Sequence, residues 1–245
     1  MAETNYGVAK LNAYFPLTDL LRAPHKGKTL VLSHPAFGPE HYSKNLDGMQ
    51  EIYSHLPEFF KISFRPATTS ESISAVSFDF KNLAKSQIFD DGWLQLGYIL
   101  KTSQGFYANP PRDKKGNILI DEKKLEDLLD KGKKVNGIYL CKNDFGFAPY
   151  ETFKQGAQDY DTFIAGGLAR LLEHTKEKTA RNLSIVASSK FYKKGVNVFG
   201  FDKVKNSILR IASLGSNRDV GSRLDISGDW DDGCYGFAFG IIKYS

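Results

Sequence analysis

Two stretches of this sequence share the pattern of a short β-hairpin, and they constrain its fold more than any other feature. Residues 97–111 (GYILKTSQGFYANPP) and residues 137–151 (GIYLCKNDFGFAPYE) each place a polar turn between two apolar runs. Runs of this kind joined by a tight turn predict two antiparallel strands. Both stretches also share a leading glycine and a Phe-x-Ala return, which leaves internal duplication open as an alternative to two independent hairpins.

The chain before these hairpins predicts a strand, a helix and a further pair of strands. Residues 28–33 (KTLVLS) form an apolar run that predicts a strand. Apolar residues then recur every three or four positions from Tyr42 until Pro57, which predicts a helix. Residues 60–64 and 76–80 alternate apolar and polar side chains, so we predict two strands that pair with each other.

The second half of the chain predicts helices followed by strands. Asp121 is predicted to cap a short helix that runs to Lys131, and Asp159 or Asp161 to open a longer helical stretch. After residue 195, apolar segments alternate with turn-rich segments. This alternation predicts an antiparallel meander at the end of the chain.

Predicted strands and helices are segregated along the chain and do not alternate regularly. This order favours an α+β fold with antiparallel sheets, hairpins and three to four helices over a doubly wound parallel sheet. We predict a single α+β domain over residues 1–245, with a subdivision into 1–92 and 93–245 as the alternative.

Composition excludes several classes of protein. The chain is 41% hydrophobic and 25% charged, as in ordinary globular proteins. No run approaches the roughly 20 apolar residues that cross a bilayer, and no secretory signal is visible, so we expect a cytoplasmic protein without membrane contact. Cys141 and Cys234 have the spacing of neither a disulfide scaffold nor a zinc site, and whether they lie close together is left open. No cofactor is predicted.

Positive charge is concentrated in the third quarter of the chain. The formal net charge is +5, but the stretch from Lys178 to Arg210 carries eight lysines and arginines against one acid, Asp202. Such a cluster predicts a basic face that attracts phosphate groups, although an ordinary solvated surface is the alternative. The eight residues are Lys178, Arg181, Lys190, Lys193, Lys194, Lys203, Lys205 and Arg210.

Residues 143–150 (NDFGFAPY) resemble a fragment of the RNA-recognition or cold-shock pattern, and residues 194–201 (KGVNVFGF) resemble another. In the first fragment, an Asn-Asp pair stands where the pattern has Lys-Gly. The resemblance implies that Phe145 and Phe147 stack on nucleic-acid bases. The alternative is that both rings fill a hydrophobic core.

One short motif and two histidines point to other chemistry. Residues 25–29 (HKGKT) end like a phosphate-binding loop, but Arg22 stands where that loop needs glycine and a strand is predicted to follow, so we reject this interpretation. His34 and His41 bracket a loop that could hold a metal or a catalytic group, although no known ligand spacing is present.

We therefore predict a non-catalytic protein that binds RNA or DNA through a basic face, as a subunit of a larger assembly. Its predicted binding residues are the eight basic residues above together with Phe145 and Phe147. One alternative is a metal-dependent hydrolase or nuclease that uses His34, His41 and acidic residues, with the run from Asp225 to Asp232 as a further candidate for metal binding. Another is a structural or adaptor protein that binds a protein partner.

Overall fold

The structure is a computed structural model that describes residues 20–33, 36–54, 62–80, 92–188, 192–217 and 223–244. In these ranges the chain forms 15 strands and six α-helices. The strands are β1 Leu20–His25, β2 Lys28–Ser33, β3 Phe37–Glu40, β4 Ile62–Pro66, β5 Trp93–Lys101, β6 Gly105–Ala108, β7 Lys133–Val135, β8 Ile138–Leu140, β9 Gly146–Pro149, β10 Gly156–Gln158, β11 Val196–Phe199, β12 Ile208–Asn217, β13 Arg223–Trp230, β14 Gly236–Ala238 and β15 Gly240–Tyr244. The helices are α1 Tyr42–Ser54, α2 Thr69–Phe78, α3 Glu122–Leu129, α4 Tyr160–Ala165, α5 Gly167–Leu172 and α6 Arg181–Ala187.

The chain is thus a mixed α and β protein whose sheets are mostly antiparallel. One sheet has four strands in the order β1-β2-β15-β4. The other has 11 strands and follows the order β10-β11-β13-β12-β5-β6-β9-β8-β7, with β14 beside β5 and β3 beside β14. The prediction of three to four helices was too low, because the helical stretch after Asp159 is divided into three short helices.

The local predictions around the hairpins are confirmed. β5 and β6 form the first predicted hairpin, and β8 and β9 form the second. Asp121 caps α3 by accepting a hydrogen bond from the amide of Lys124, and Asp159 caps α4 in the same way through Thr162. These features depend on residues close in sequence, so a local pattern is enough to predict them.

Helix α2 replaces a predicted strand. The hydroxyl of Thr68 accepts a hydrogen bond from the amide of Glu71, and the Glu71 carboxylate accepts one from the amide of Thr68, which is a reciprocal capping box. Val76 and Phe80 are buried while Phe78 is 55% exposed, as expected when every fourth residue shares a face. The predicted strand over residues 76–80 was wrong because alternation over five residues did not outweigh the capping signal upstream. Its predicted partner, β4, pairs with β15 instead.

The end of the chain is not a simple meander. β12 and β13 pair antiparallel, but β11 lies parallel to β13. β14 then runs parallel to β5, and β15 leaves this sheet to pair with β2 and β4. The alternating pattern correctly indicated strands here, but it carries no information on which strands become neighbours.

The largest hydrophobic core joins both sheets through the helices. It contains side chains from β1, β2, β5 and β13 together with side chains from α2, α4, α5 and α6. Helix α2 packs against β1, β5, α5 and α6, so its N-terminus is held next to the turn between β1 and β2. In the described ranges, no helix is long and apolar enough to cross a membrane.

Candidate functional site

The side chain of Asp144 is the centre of a polar cluster at the N-terminus of α2. Its Oδ1 accepts a hydrogen bond from Lys26 Nζ at 2.6 Å, and its Oδ2 accepts one from each of the hydroxyls of Thr68 and Ser70 at 2.6 Å. Burial alone would raise the pKa of Asp144, but the hydrogen bonds from these three residues outweigh it and lower the pKa to about 2. Asp144 is therefore a fixed anion at neutral pH.

Two turns from different sheets bring these groups together. Asp144 ends the short 3-10 turn Lys142–Asp144 of the second hairpin, and β9 behind it is paired on both sides. Lys26 lies in the turn between β1 and β2, where Lys26 and Gly27 have φ angles of 46° and 77°. Positive φ at both central residues is the geometry of a type I′ hairpin turn, which glycine adopts without strain. The HKGKT segment is therefore a hairpin turn and not a phosphate-binding loop.

Left-handed backbone conformations are concentrated at this cluster. Within the described part of the chain, six residues other than glycine have such a positive φ, and all except Asn136 lie here. Each costs on the order of 1–3 kcal/mol and persists only where the surrounding structure holds it in place. Such residues are often found at functional sites. The five are Lys26 (46°), Asn109 (50°), Asn143 (57°), Asp144 (59°) and His174 (50°).

Asn109 ties the start of α2 to the Asp144 turn. Its Oδ1 accepts a hydrogen bond from the amide of Thr69 at 3.1 Å. Its Nδ2 donates to the hydroxyl of Thr69 at 2.9 Å and to the carbonyl of Asp144 at 3.0 Å. These three hydrogen bonds use both amide hydrogens and one acceptor site of Asn109, and they hold Thr69 and Asp144 in fixed relative positions.

Arg65 and Glu71 form a second ion pair beside the first. The guanidinium of Arg65 donates to both oxygens of Glu71, at 2.5 and 2.6 Å. Burial would raise the pKa of Glu71, but the hydrogen bonds from Arg65 and from the Thr68 amide, with the charge of Arg65, bring it below its usual value. The cluster therefore contains two ionised carboxylates, each with its own cation.

His25 presents one free ring nitrogen. Ser74 Oγ donates to the carbonyl of Ser70 at 3.0 Å and accepts from Asn182 Nδ2 at 3.2 Å. The 2.9 Å contact between Ser74 Oγ and His25 Nδ1 must then be donated by the histidine. Burial and the charge of Lys26 lower the pKa of His25, so at neutral pH its Nε2 carries a lone pair.

His174 has the opposite tautomer. Its Nε2 lies 3.2 Å from the carbonyl oxygen of Phe145, which can only accept, so this nitrogen carries the proton. Its Nδ1 faces Lys26 Nζ at 3.4 Å and therefore accepts. Burial, followed by the charge of Lys26, lowers the pKa of His174 as well. The Nδ1 lone pair of His174 thus faces the Lys26–Asp144 pair, and His25 lies in the same cluster beside Glu71 and Asp144.

Two cavities meet at the Lys26–Asp144 pair. The larger, of about 930 Å³, extends from this pair along β2 to Tyr98 and Arg112. The smaller, of about 650 Å³, lies on the other side and reaches His174 and Lys176. His25, Lys26, Asn143 and Asp144 line both.

The walls of the two cavities carry a positive excess. Six lysines and arginines line them against three carboxylates. All three carboxylates are used by the protein, since Asp144 and Glu71 hold ion pairs and Glu173 accepts from the amide of Leu183 at 3.0 Å. Burial raises the pKa of Glu173. The cations are Lys26, Lys28, Arg65, Arg112, Lys142 and Lys176.

The basic residues that the sequence grouped together are spread over several elements. Lys178 and Arg181 lie before and at the start of α6. The pair Lys193 and Lys194 precedes β11, while Lys203 and Lys205 follow it, so a four-residue strand of about 13 Å separates the two pairs. Arg210 is in β12, 3.8 Å from Asp229. Lys190 lies outside the described residues.

Phe145 and Phe147 are buried, with 4% and 7% of their surface exposed. Both rings pack against Tyr107, with ring centres 5.9 and 4.7 Å away. Base stacking needs an open ring face, so these two rings act in the core in this structure. The polar residues of the same turn, and not its aromatic residues, face the cavities.

The other predicted candidates have separate local contacts. His41 packs edge-on against Tyr235 at 4.6 Å, while His34 lies outside the described residues. Among the acids, Asp229 pairs with Lys101 at 3.1 Å and Asp232 accepts from the amide of Ser43 at 2.7 Å. In the described ranges, neither His41 nor the acids from Asp225 to Asp232 belong to a group of three metal-ligating side chains.

Sequence reasoning missed the residues that do converge. In the sequence, His25 and Lys26 belong to a segment that lacks the pattern of a phosphate-binding loop, and Asp144 stands out only as a departure from an RNA-binding pattern. The one signal that could have marked the site is Thr-Thr-Ser-Glu at 68–71, since a Thr followed three residues later by Glu indicates the start of a helix.

Comparisons with known proteins add no assignment, because no family model, curated protein or solved structure matches this chain significantly.

Proposed function

We propose that this protein binds nucleic acid, a polyanion of linked phosphates, in the two cavities beside Lys26 and Asp144. The main support for this proposal is a set of basic side chains in the cavities that form no ion pair with a described residue. Four exposed cations line the cavities, and no carboxylate of the described residues lies within 4.0 Å of them. They are Lys28, Arg112, Lys142 and Lys176.

The position of these cations favours an extended ligand over a single phosphate. Lys28 and Arg112 line the larger cavity, whereas Lys142 and Lys176 line the smaller one. A chain of phosphates that passes over the Lys26–Asp144 pair would meet cations on both sides of it. Each cavity alone is as large as many small-ligand pockets, and together they offer room for several nucleotides.

The rigid polar cluster supports the same proposal. Cations on flexible loops lose entropy when they bind phosphate, which reduces the affinity gained. Here the turn that precedes Lys28 is fixed through Lys26, and the turn that contains Lys142 is fixed through Asp144. The basic side chains therefore project from positions that are already ordered.

Titration of a fluorescent single-stranded RNA or DNA at increasing salt tests the proposal. If the four cations neutralise four phosphates, a plot of the logarithm of the association constant against the logarithm of the salt concentration should have a slope of about −3. The matched control is a neutral polymer of similar size, which should not bind. No binding at the lowest salt, or an affinity that does not depend on salt, would contradict the proposal.

A further inference from the structure

The ammonium of Lys26 occupies a cage of metal-ligating atoms. Its Nζ lies 2.6 Å from Asp144 Oδ1, 3.3 Å from Ser70 Oγ and 3.4 Å from His174 Nδ1. Next to this cage, one ligating atom from each of His25, Glu71 and Asp144 lies within 4.8 Å of the other two. The lysine and this group of ligating atoms share the carboxylate of Asp144, so an ion bound there would compete with the ammonium.

Both histidines are oriented as metal ligands usually are. A metal-binding histidine generally donates its second ring nitrogen to a fixed acceptor, which holds the ring and keeps the lone pair on the ligating nitrogen. His25 Nδ1 donates to Ser74 Oγ, and His174 Nε2 donates to the carbonyl of Phe145.

Both carboxylates have an oxygen lone pair that a metal ion could use. Each carboxylate oxygen has about two lone pairs. Glu71 Oε1 accepts one hydrogen bond, from Arg65, and therefore has a lone pair left. Asp144 Oδ1 accepts from Lys26, and it becomes free when the ammonium leaves. Lys26 can leave, since its side chain is 42% exposed and lies on a turn at the surface.

We propose that His25, Glu71 and Asp144 bind a divalent first-row transition metal ion, which displaces the ammonium of Lys26. The imidazole favours zinc-like ions over magnesium and calcium, which prefer oxygen ligands alone. With the ammonium gone, His174 Nδ1 is available as a fourth ligand. It lies 3.4 Å from Asp144 Oδ1, and two atoms bound at about 2.1 Å to a tetrahedral ion are about 3.4 Å apart. This site does not depend on nucleic-acid binding.

Isothermal titration of metal-free protein with zinc chloride, without nucleic acid, tests the proposal. We expect one ion per wild-type chain and no comparable binding of magnesium. Lys26→Met removes the competing ammonium and should bind zinc at least about 10-fold more tightly. Asp144→Asn removes the shared carboxylate and should bind at least about 100-fold more weakly. Lys205→Met, which removes a positive charge from an exposed loop, is the matched control and should leave the affinity unchanged.

Three results would overturn the proposal. They are an absence of stoichiometric zinc binding by the wild-type protein, an Asp144→Asn variant that binds like wild type, and a Lys26→Met variant with no gain in affinity. If Asp144→Asn does not fold, His25→Gln replaces it, because His25 is half-buried at the surface of both cavities. Unchanged binding by His25→Gln would then overturn the site.

Discussion

Replacement of Asp144 by alanine is expected to lower the free energy of unfolding by about 3 kcal/mol. The change leaves the Ser70 hydroxyl, in a residue with no exposed surface, without its acceptor, and it removes the acceptor of Thr68 as well. It also places alanine at a φ of 59°, which an aspartate tolerates better. The contribution of Lys26 is small because that side chain reaches water.

Urea denaturation followed by circular dichroism measures this loss. Asp144→Asn should cost about half as much, because asparagine tolerates the left-handed conformation and retains one acceptor oxygen. Asp127→Ala is the control, since Asp127 is exposed on α3 and should change stability by less than about 0.5 kcal/mol. If Asp144→Ala were as stable as this control, Asp144 would not be the centre of the cluster.

Removal of the four cavity cations that have no carboxylate partner among the described residues is expected to weaken binding of single-stranded nucleic acid by about 100- to 1,000-fold at low salt. Each cation near a phosphate contributes about 1 kcal/mol in a watery environment, and every 1.4 kcal/mol is tenfold in affinity. The variant replaces Lys28, Arg112, Lys142 and Lys176 by alanine. All four side chains are exposed, so the fold should be retained, which circular dichroism would verify. The measurement is fluorescence anisotropy with a labelled oligonucleotide.

A second fourfold variant controls for net charge. Replacing Lys193, Lys194, Lys203 and Lys205 by alanine removes the same number of charges from the basic segment around β11. If binding takes place in the cavities, this variant should lose less than about 10-fold in affinity, because these four lysines line neither cavity and the attraction between a charge and a phosphate falls with distance. The reverse order, with the larger loss in the β11 variant, would place binding on the face that the sequence first indicated.

Elements that depend on neighbouring residues were predictable from the sequence. The second strand, helix α1, both hairpins and the aspartate caps of α3 and α4 all follow from patterns of a few residues. Helix α2 was missed although it has a local signal of its own. The alternation at residues 76–80 predicts a strand, but the capping pair Thr68 and Glu71 satisfies free amides at the helix start and favours the helix.

Local sequence patterns could not predict the candidate site, because the residues that contact each other there are far apart in sequence. Lys26 and Asp144 are separated by 118 residues, and Thr68 and Asp144 by 76. They are brought together in the folded chain, where α2 packs against both β1 of the small sheet and β5 of the large sheet. Charge counting along the chain identified a basic segment, but a linear count cannot show which cations are already paired with carboxylates.

Lysine footprinting tests the central claim most directly. Acetylation of the folded protein, with and without single-stranded RNA, can be followed at each lysine by mass spectrometry. Binding in the cavities predicts protection of Lys28, Lys142 and Lys176, with little change at Lys193, Lys203 and Lys205. Protection of the second group with the first group unchanged would contradict the claim that the cavities beside Asp144 hold the polyanion.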